Sequence, residues 1–580
     1  MEDILLQIQR PGQYIGGEWN VSRKDFDKAD IKFALCFPDL YEIGMSNLGF
    51  RIIYSLLNAV PDIACERFFS PGLDFEAVLR NTGAGITSLE SKRKLKEFDF
   101  IGFSLGYELS YTNVLNILDL GAIPLSASSR DASYPLVIGG GPCVLNPEPI
   151  HEFFDLFVIG EAEEAILEIT DLYRKVKQQY KDSGLSKREL LVMLSAIEGV
   201  YVPSLYKVDY GPEGAIKEFK AETQGAPPKI KKRFVKDLDK SHFPLNWMVP
   251  YVQIVHDRIS LELMRGCPNR CRFCQARVQY HPLRLRSAGT VLDYACSIYR
   301  NTGYEEISLL GLSVSDYPGI EEILKSLIST FKEKGVSVSL PSIKPRIILE
   351  QLSSLIATIK KTGLTFAPEA ATDRLRKILA KDFDTEDFFN VIEKAYLAGY
   401  QHIKLYFMIG LPLENREDLE GIVEFANTAS GLRKKLKLSA ANVNVSVNTL
   451  IPKPHTPFQW LAMPGLEAMK EKQDCVRDKI RNRKLKVDFH NREMSFMEGV
   501  FSRGDRRLSG VIRDAFTRGA RFDSWGNHFV FDRWMESFNR LGIDPAFYLK
   551  EKGRDELLPW DFIDTGISKE YLLQEADKIA

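Results

Sequence analysis

The sequence predicts an α/β protein in three parts: a doubly wound parallel-sheet domain, a partial (βα)6 barrel, and a mostly helical C-terminal domain. Three observations predict it. Short apolar runs alternate with helical patterns from Ile31 onward, and each run ends in a glycine- or proline-rich loop. The same alternation returns after residue 251 with a stricter beat, in six βα steps. Past residue 465 the pattern turns helical and charge-rich.

In order along the chain, residues 1–30 read as a polar lead-in. A domain over 31–205 follows, with strands at 32–37, 98–104, 136–140 and 156–159 and a helix at 50–58. Loops at strand ends are where open α/β sheets bind ligands. Residues 206–250 break the rhythm as a linker or edge segment around Ala226-Pro227-Pro228. The barrel is expected over 251–465. Its strands fall at 259–264, 306–310, 336–340, 364–367, 402–408 and 442–449. Its helices fall at 291–300, 319–334, 346–361, 385–398 and 416–436. Six right-handed crossovers curl into an incomplete barrel whose chemistry belongs at the carboxyl ends of the strands. Residues 466–580 form the helical C-terminal domain.

The 580 residues and 44% hydrophobic content suffice for several cores. Lys and Arg number 77 against 78 Asp and Glu, so no bulk attraction to nucleic acid is expected. No window approaches the ~20 apolar residues of a spanning helix. The N-terminus begins Met1-Glu2-Asp3 and shows no signal-peptide pattern. A cytoplasmic protein with no membrane partner is expected.

Of eight cysteines, three cluster in Cys267-Pro268-Asn269-Arg270-Cys271-Arg272-Phe273-Cys274, directly after the first barrel strand. Thiolates at this spacing converge on an iron–sulfur cluster and leave its fourth iron without a protein ligand. A structural zinc site wants four ligands. His281 is the only nearby fourth donor, and no second cysteine pair follows. The other five cysteines read as buried hydrophobes.

The cysteine spacing, with Phe273 before the third cysteine, resembles the radical S-adenosylmethionine (SAM) superfamily over about 251–465. The resemblance implies a 4Fe-4S cluster on Cys267, Cys271 and Cys274, and SAM chelating its open iron. It also implies a one-electron reductant such as flavodoxin or ferredoxin, and a 5′-deoxyadenosyl radical that abstracts hydrogen from a substrate. By the same resemblance, Glu369 and Arg374 after the fourth strand contact SAM. Met408, Gly410 and Pro412 after the fifth strand approach its adenine. The family often has a Gly-Gly-Glu-like segment after the second strand to hold the SAM amine. This chain departs from it with Leu310-Gly311-Leu312-Ser313-Val314-Ser315-Asp316, where Ser313 and Ser315 are the stand-ins.

A doubly wound domain ahead of such a barrel resembles the cobalamin-binding radical SAM class. The resemblance is carried by Gly139-Gly140-Gly141-Pro142 and by Gly160-Glu161, which it makes cofactor-binding. The Asp-x-His-x-x-Gly motif that supplies an axial histidine in many cobalamin proteins is absent. Arg10-Pro11-Gly12-Gln13-Tyr14, Arg284-Leu285-Arg286 and Leu558-Pro559-Trp560 further resemble a group of cobalamin-binding-domain radical SAM proteins with no settled substrate. The expected function is radical SAM catalysis on an unknown substrate, with cobalamin-dependent methyl transfer as the subtype. Two alternatives stand. One is methylthiotransferase-like or other radical chemistry without cobalamin, where Cys36, Cys65 and Cys143 would converge on a second cluster. The other is a non-catalytic, cluster-bearing regulator that binds SAM or RNA. Arg503, Asp505, Arg506, Arg507, Trp525, His528 and Trp534 read either as an anion- or RNA-facing surface or as a charged helical cap.

Overall fold

Ile31–Phe37, Phe100–Ser104 and Leu136–Gly140 are runs of apolar residues bounded by loops, and they become buried central strands of one sheet. Continuous apolar runs are what a parallel sheet covered on both faces demands. In the computed structural model, which describes residues 5–339, 364–381 and 383–579, these are β1, β3 and β4. Ile63–Phe69 is β2, Leu156–Val158 is β5 and Val200–Tyr201 is β6, and the sheet order is β2-β1-β3-β4-β5-β6. The first five strands are parallel, and β6 runs antiparallel to β5. The order reverses between β1 and β3, which makes that gap the topological switch point.

Contacts divide the chain into two units. The first holds Met1–Asp257, Phe501–Pro545 and Asp555–Gly566. The interval read as a linker contributes a hairpin, Tyr206–Tyr210 against Ile216–Ala221. It also contributes Ile230–Lys231, which pairs with Ile563–Asp564. The late segments are built into this unit by buried hydrogen bonds. Asn113 donates to the Pro38 carbonyl and accepts from the Phe522 amide, and Thr112 donates to Asp523 at 2.7 Å.

The second unit holds Arg258–Val500, Ala546–Arg554 and Ile567–Ala580. Its strands form two parallel sheets. Ile259–Glu262, Glu306–Leu310 and Ser337–Ser339 make the first. Leu364–Glu369, His402–Ile409, Asn442–Thr449 and Leu485–Phe489 make the second. The expected strand positions are all occupied. The end of the third strand at 340 and the helix expected at 346–361 lie outside the described residues. Leu485–Phe489 adds a strand to the second sheet within the mostly helical C-terminal interval, and residues 466–580 are shared between the two units.

Candidate functional site

The cysteine loop is closed at its neck. Met264–Arg265 pairs antiparallel with Arg284–Leu285, so residues 266–283 leave and rejoin the barrel edge at one point. Gly266 sits in that neck at φ +87°, and a Cβ there would stand 2.7 Å from Leu283 Cα and 2.9 Å from two carbonyl oxygens. Only glycine fits.

Arg272 ties the loop down. Its amide donates to the Leu379 carbonyl, its Nη1 to the carbonyls of Lys377 and Ile378, and its Nε pairs with Glu575 at 3.0 Å. Phe273 packs on a core of Ala370, Leu375, Leu379, Leu411, Leu450 and Phe458, as does Met408. Gln275 donates to the Pro454 carbonyl after the sixth strand. The ends of several strands thus fix the loop between Cys271 and Gln275.

Burial pushes the Cys271 thiol up to about 11, with the Lys381 ammonium opposing and the other two thiols adding to the rise. Burial also raises Cys274, against which the Arg277 and Ala276 amides donate to its sulfur. The three thiols therefore feel one another. Among the described residues no three His, Cys, Asp or Glu side chains are gathered tightly enough for one metal ion. A cuboidal cluster places each thiolate on a different iron, so it calls for a wider spread than a single ion does. Three mutually interacting soft donors on a pinned loop fit such a group.

Asn269 leads from the cysteines to the second strand. Its Nδ2 lies 3.2 Å from Cys267 Sγ and 2.8 Å from Asp316 Oδ2, and Ser313 Oγ donates to the same oxygen at 2.6 Å. Sequence reasoning named Ser313 and Ser315 here and missed Asp316. The carboxylate in the same seven-residue segment was the available signal. Ser315 is buried in the 3-10 turn Val314–Asp316.

Glu369 ends the fourth strand in a left-handed conformation, φ +65°, and pairs with Lys381 at 2.7 Å. A glutamate held there stores strain of about 1–3 kcal/mol, a mark of functional positions. Arg374 forms an ion pair with Asp418 and donates to the Leu413 carbonyl, which ties its helix to the turn after the fifth strand. In that turn Gly410 has φ +78° and donates to Glu414 Oε2 at 2.9 Å, and Pro412 is half-buried.

In the first unit the glycines divide. A Cβ on Gly139 would meet the Phe157 ring at 2.5 Å, one on Gly141 the Leu105 carbonyl at 2.7 Å, and one on Gly160 the Arg233 carbonyl at 2.1 Å. Glu161 accepts from the Val235 amide at 2.7 Å. These four residues are engaged in packing and hydrogen bonds within the unit. Gly140 differs: nothing stands within 4 Å of a Cβ there, nor at Gly106. Gly140 ends β4, paired with Ser104 at the end of β3, and Gly106 lies two residues past that end. Both positions are open backbone.

Cys36, Cys65 and Cys143 are buried, and burial raises the Cys36 and Cys65 thiols. The polar–aromatic set is also largely interior. Arg506 reaches Glu148 at 2.7 Å and the Tyr201 hydroxyl at 2.8 Å, and Arg507 pairs with Asp505. Trp534 donates to Asp523 and Trp525 to Asp39. Arg503 is buried, whereas His528 stays partly exposed beside Phe522. Arg506 is thus bound within the unit, and Arg507 keeps about a third of its side chain exposed.

No helix among the described residues is long and apolar enough to cross a membrane. Two family models match the chain, one described as "Radical SAM proteins, N-terminal" over residues 49–203 and one as "Radical SAM superfamily" over 261–426. An uncharacterized protein of Methanocaldococcus jannaschii is 27% identical over 88% of this chain and 97% of its own. A tRNA-2-methylthio-N(6)-dimethylallyladenosine synthase of Buchnera aphidicola is 27% identical over 29% of this chain and 40% of its own. Among solved structures, the radical S-adenosylmethionine methyltransferase TsrM of Kitasatospora setae, with cobalamin and a 4Fe-4S cluster bound, aligns at 13% identity. That alignment covers 72% of this chain and 74% of TsrM, with a TM-score of 0.44.

Proposed function

Given that this chain belongs to the radical SAM superfamily, we propose that Cys267, Cys271 and Cys274 hold its 4Fe-4S cluster and leave one iron open for SAM. The observation that carries this reading is the loop 266–283, pinched shut by Gly266 and carrying three thiols that interact. When bound, the cluster supplies the electron that splits SAM into methionine and a 5′-deoxyadenosyl radical. The protein's own part is to hold and orient. Asp316, fixed by Asn269 and Ser313, offers a carboxylate next to Cys267 where the SAM ammonium can be received. Glu369 faces the same loop from the fourth strand, and Gly410 makes the left-handed turn after the fifth, where the resemblance puts the adenine. Arg374, tied to Asp418, positions the turn that carries Gly410.

Anaerobic reconstitution tests the reading. The wild type should bind iron and sulfide and release 5′-deoxyadenosine from SAM with a low-potential donor of the flavodoxin or ferredoxin class. The variant with all three cysteines changed to alanine should do neither. Continued SAM cleavage by that variant would sink the assignment.

For the subtype we propose cobalamin-dependent methyl transfer to a substrate still to be found, supported by the open backbone at Gly106 and Gly140 past the ends of β3 and β4. The Asp-x-His-x-x-Gly motif is absent from the sequence, so retained corrin should show a base-off spectrum. A second reading, methylthiolation without cobalamin, is favoured by the tRNA-modifying relative that matches part of the chain. Incubation with hydroxocobalamin followed by desalting separates them. Stoichiometric retention supports methyl transfer, and complete loss leaves the second reading.

A further inference from the structure

We propose that Lys381 tunes the cluster's reduction potential, as a positioning residue that sets how readily the site accepts its electron. The inference rests on the cluster assignment above and extends it to a residue outside the cysteine loop.

The geometry begins with the backbone. Arg272, between Cys271 and Phe273, bonds through its amide and guanidinium to the carbonyls of residues 377–379. Those residues end the helix Asp373–Ile378 and run into Ala380, which takes a left-handed turn at φ +51°. Lys381 follows, with its amide bonded back to the Arg376 carbonyl. Lys381 thus stands two residues past the carbonyls that hold the residue next to Cys271. Its Nζ is held at 2.7 Å from Glu369 Oε1, and the side chain as a whole is three-quarters shielded from solvent. Its field acts on both Cys271 and Cys274.

The effect follows from charge. Reduction adds one electron from the low-potential donor, with no proton taken up and no bond made or broken. The thiolate-bound cluster therefore gains one negative charge. A fixed cation nearby stabilises the more negative form, and net charge around a cluster is one of the factors that set its potential. Shielding from water keeps that interaction from being screened away. Glu369 opposes it: its carboxylate partly neutralises Lys381 while anchoring it. The pair thus fixes the cation in place at the cost of some of its field.

The test is an EPR-monitored redox titration of the reconstituted full-length chain without SAM. Lys381→Met should make the midpoint more negative, with about a tenfold lower ratio of reduced to oxidised cluster at a fixed potential, or about 59 mV for one electron. Lys381→Arg should restore the wild-type midpoint. Glu369→Gln, which keeps the ammonium and removes its counter-charge, should shift the midpoint the other way. A Lys381→Met protein with full iron content and an unmoved midpoint overturns the proposal. If that variant assembles no cluster, Glu369→Gln decides, and an unmoved or more negative midpoint overturns it. A wild type with no reducible cluster would instead overturn the cluster assignment itself.

Discussion

Asp316 and Asp523 are both carboxylates fixed by donors, and their surroundings give them opposite tasks. Asp316 accepts from Asn269 and Ser313 beside Cys267. Asp316→Asn removes the charge and nearly keeps the shape. A hydrogen bond to a charged group contributes about 1.5–3 kcal/mol, so SAM affinity should fall roughly ten- to hundredfold with iron content unchanged. Anaerobic calorimetry reads that directly, and unchanged affinity would place the SAM amine elsewhere. Asp523 lies in the interior, where burial raises its carboxyl against the lowering bonds from Thr112 and Trp534. Its charged form is the costly one. The stability it contributes is full below the unfolded carboxylate value of about 3.9 and is lost as pH rises through the raised folded value. Asp523→Asn removes that loss, while the Thr112 hydroxyl turns from donor to acceptor. The variant should therefore melt higher than wild type at pH 7 and level with it near pH 4.

At the scale of the element, neighbouring glycines at the end of β4 make a paired prediction. Gly139→Ala drives a methyl into the Phe157 ring. Overpacking of this kind costs about 1–3 kcal/mol, and thermal unfolding should show it. Gly140→Ala meets nothing within 4 Å. It should leave the melting temperature unchanged and reduce the corrin retained after desalting. The sequence shows that both are glycines but not what stands over each, so it does not separate the packed Gly139 from the open Gly140. The elements themselves were legible where one pattern ruled. The barrel strands announce themselves because apolar runs alternate with helices of regular length. β2 did not, since Glu66 and Arg67 interrupt its apolar run. Arg67 is 0% exposed between Glu18 and Glu90, a tertiary pairing that local pattern does not encode. Leu485–Phe489 escaped in the same way, because Lys486 and Asp488 hide an inward alternation of Leu485 and Val487. Of the candidate site, the cysteines and Glu369 are named by spacing and resemblance. Asp316 is not, because only the 3-10 turn Val314–Asp316 folds it back onto Ser313 and Asn269.

At the scale of the whole molecule, the C-terminal stretch belongs to both units rather than standing as a domain of its own. Phe501–Pro545 and Asp555–Gly566 complete the first, while Ala546–Arg554 and Ile567–Ala580 complete the second. A chain ending at Val500 would strip Asn113 of its bond to Phe522, Asn146 of its bonds to Ser502 and Gly504, and Glu148 of Arg506. Buried polar groups left without partners cost about 1–3 kcal/mol each. The truncated protein should be recovered largely insoluble, and its soluble fraction should be cut by protease within residues 31–205. Protease resistance equal to that of the full chain would show that the doubly wound sheet stands without its late segments.

That division has a consequence for synthesis on the ribosome. The six strands of the first sheet emerge early, but Phe522 and Asp523 leave the exit tunnel only after the barrel has been made. At ~5–20 residues per second, the interval of about 300 residues keeps the nascent sheet waiting on the order of 15–60 s. Throughout that wait the apolar surface destined for Phe501, Phe522 and Trp534 is bare, and it is then that a chaperone would have most to hold.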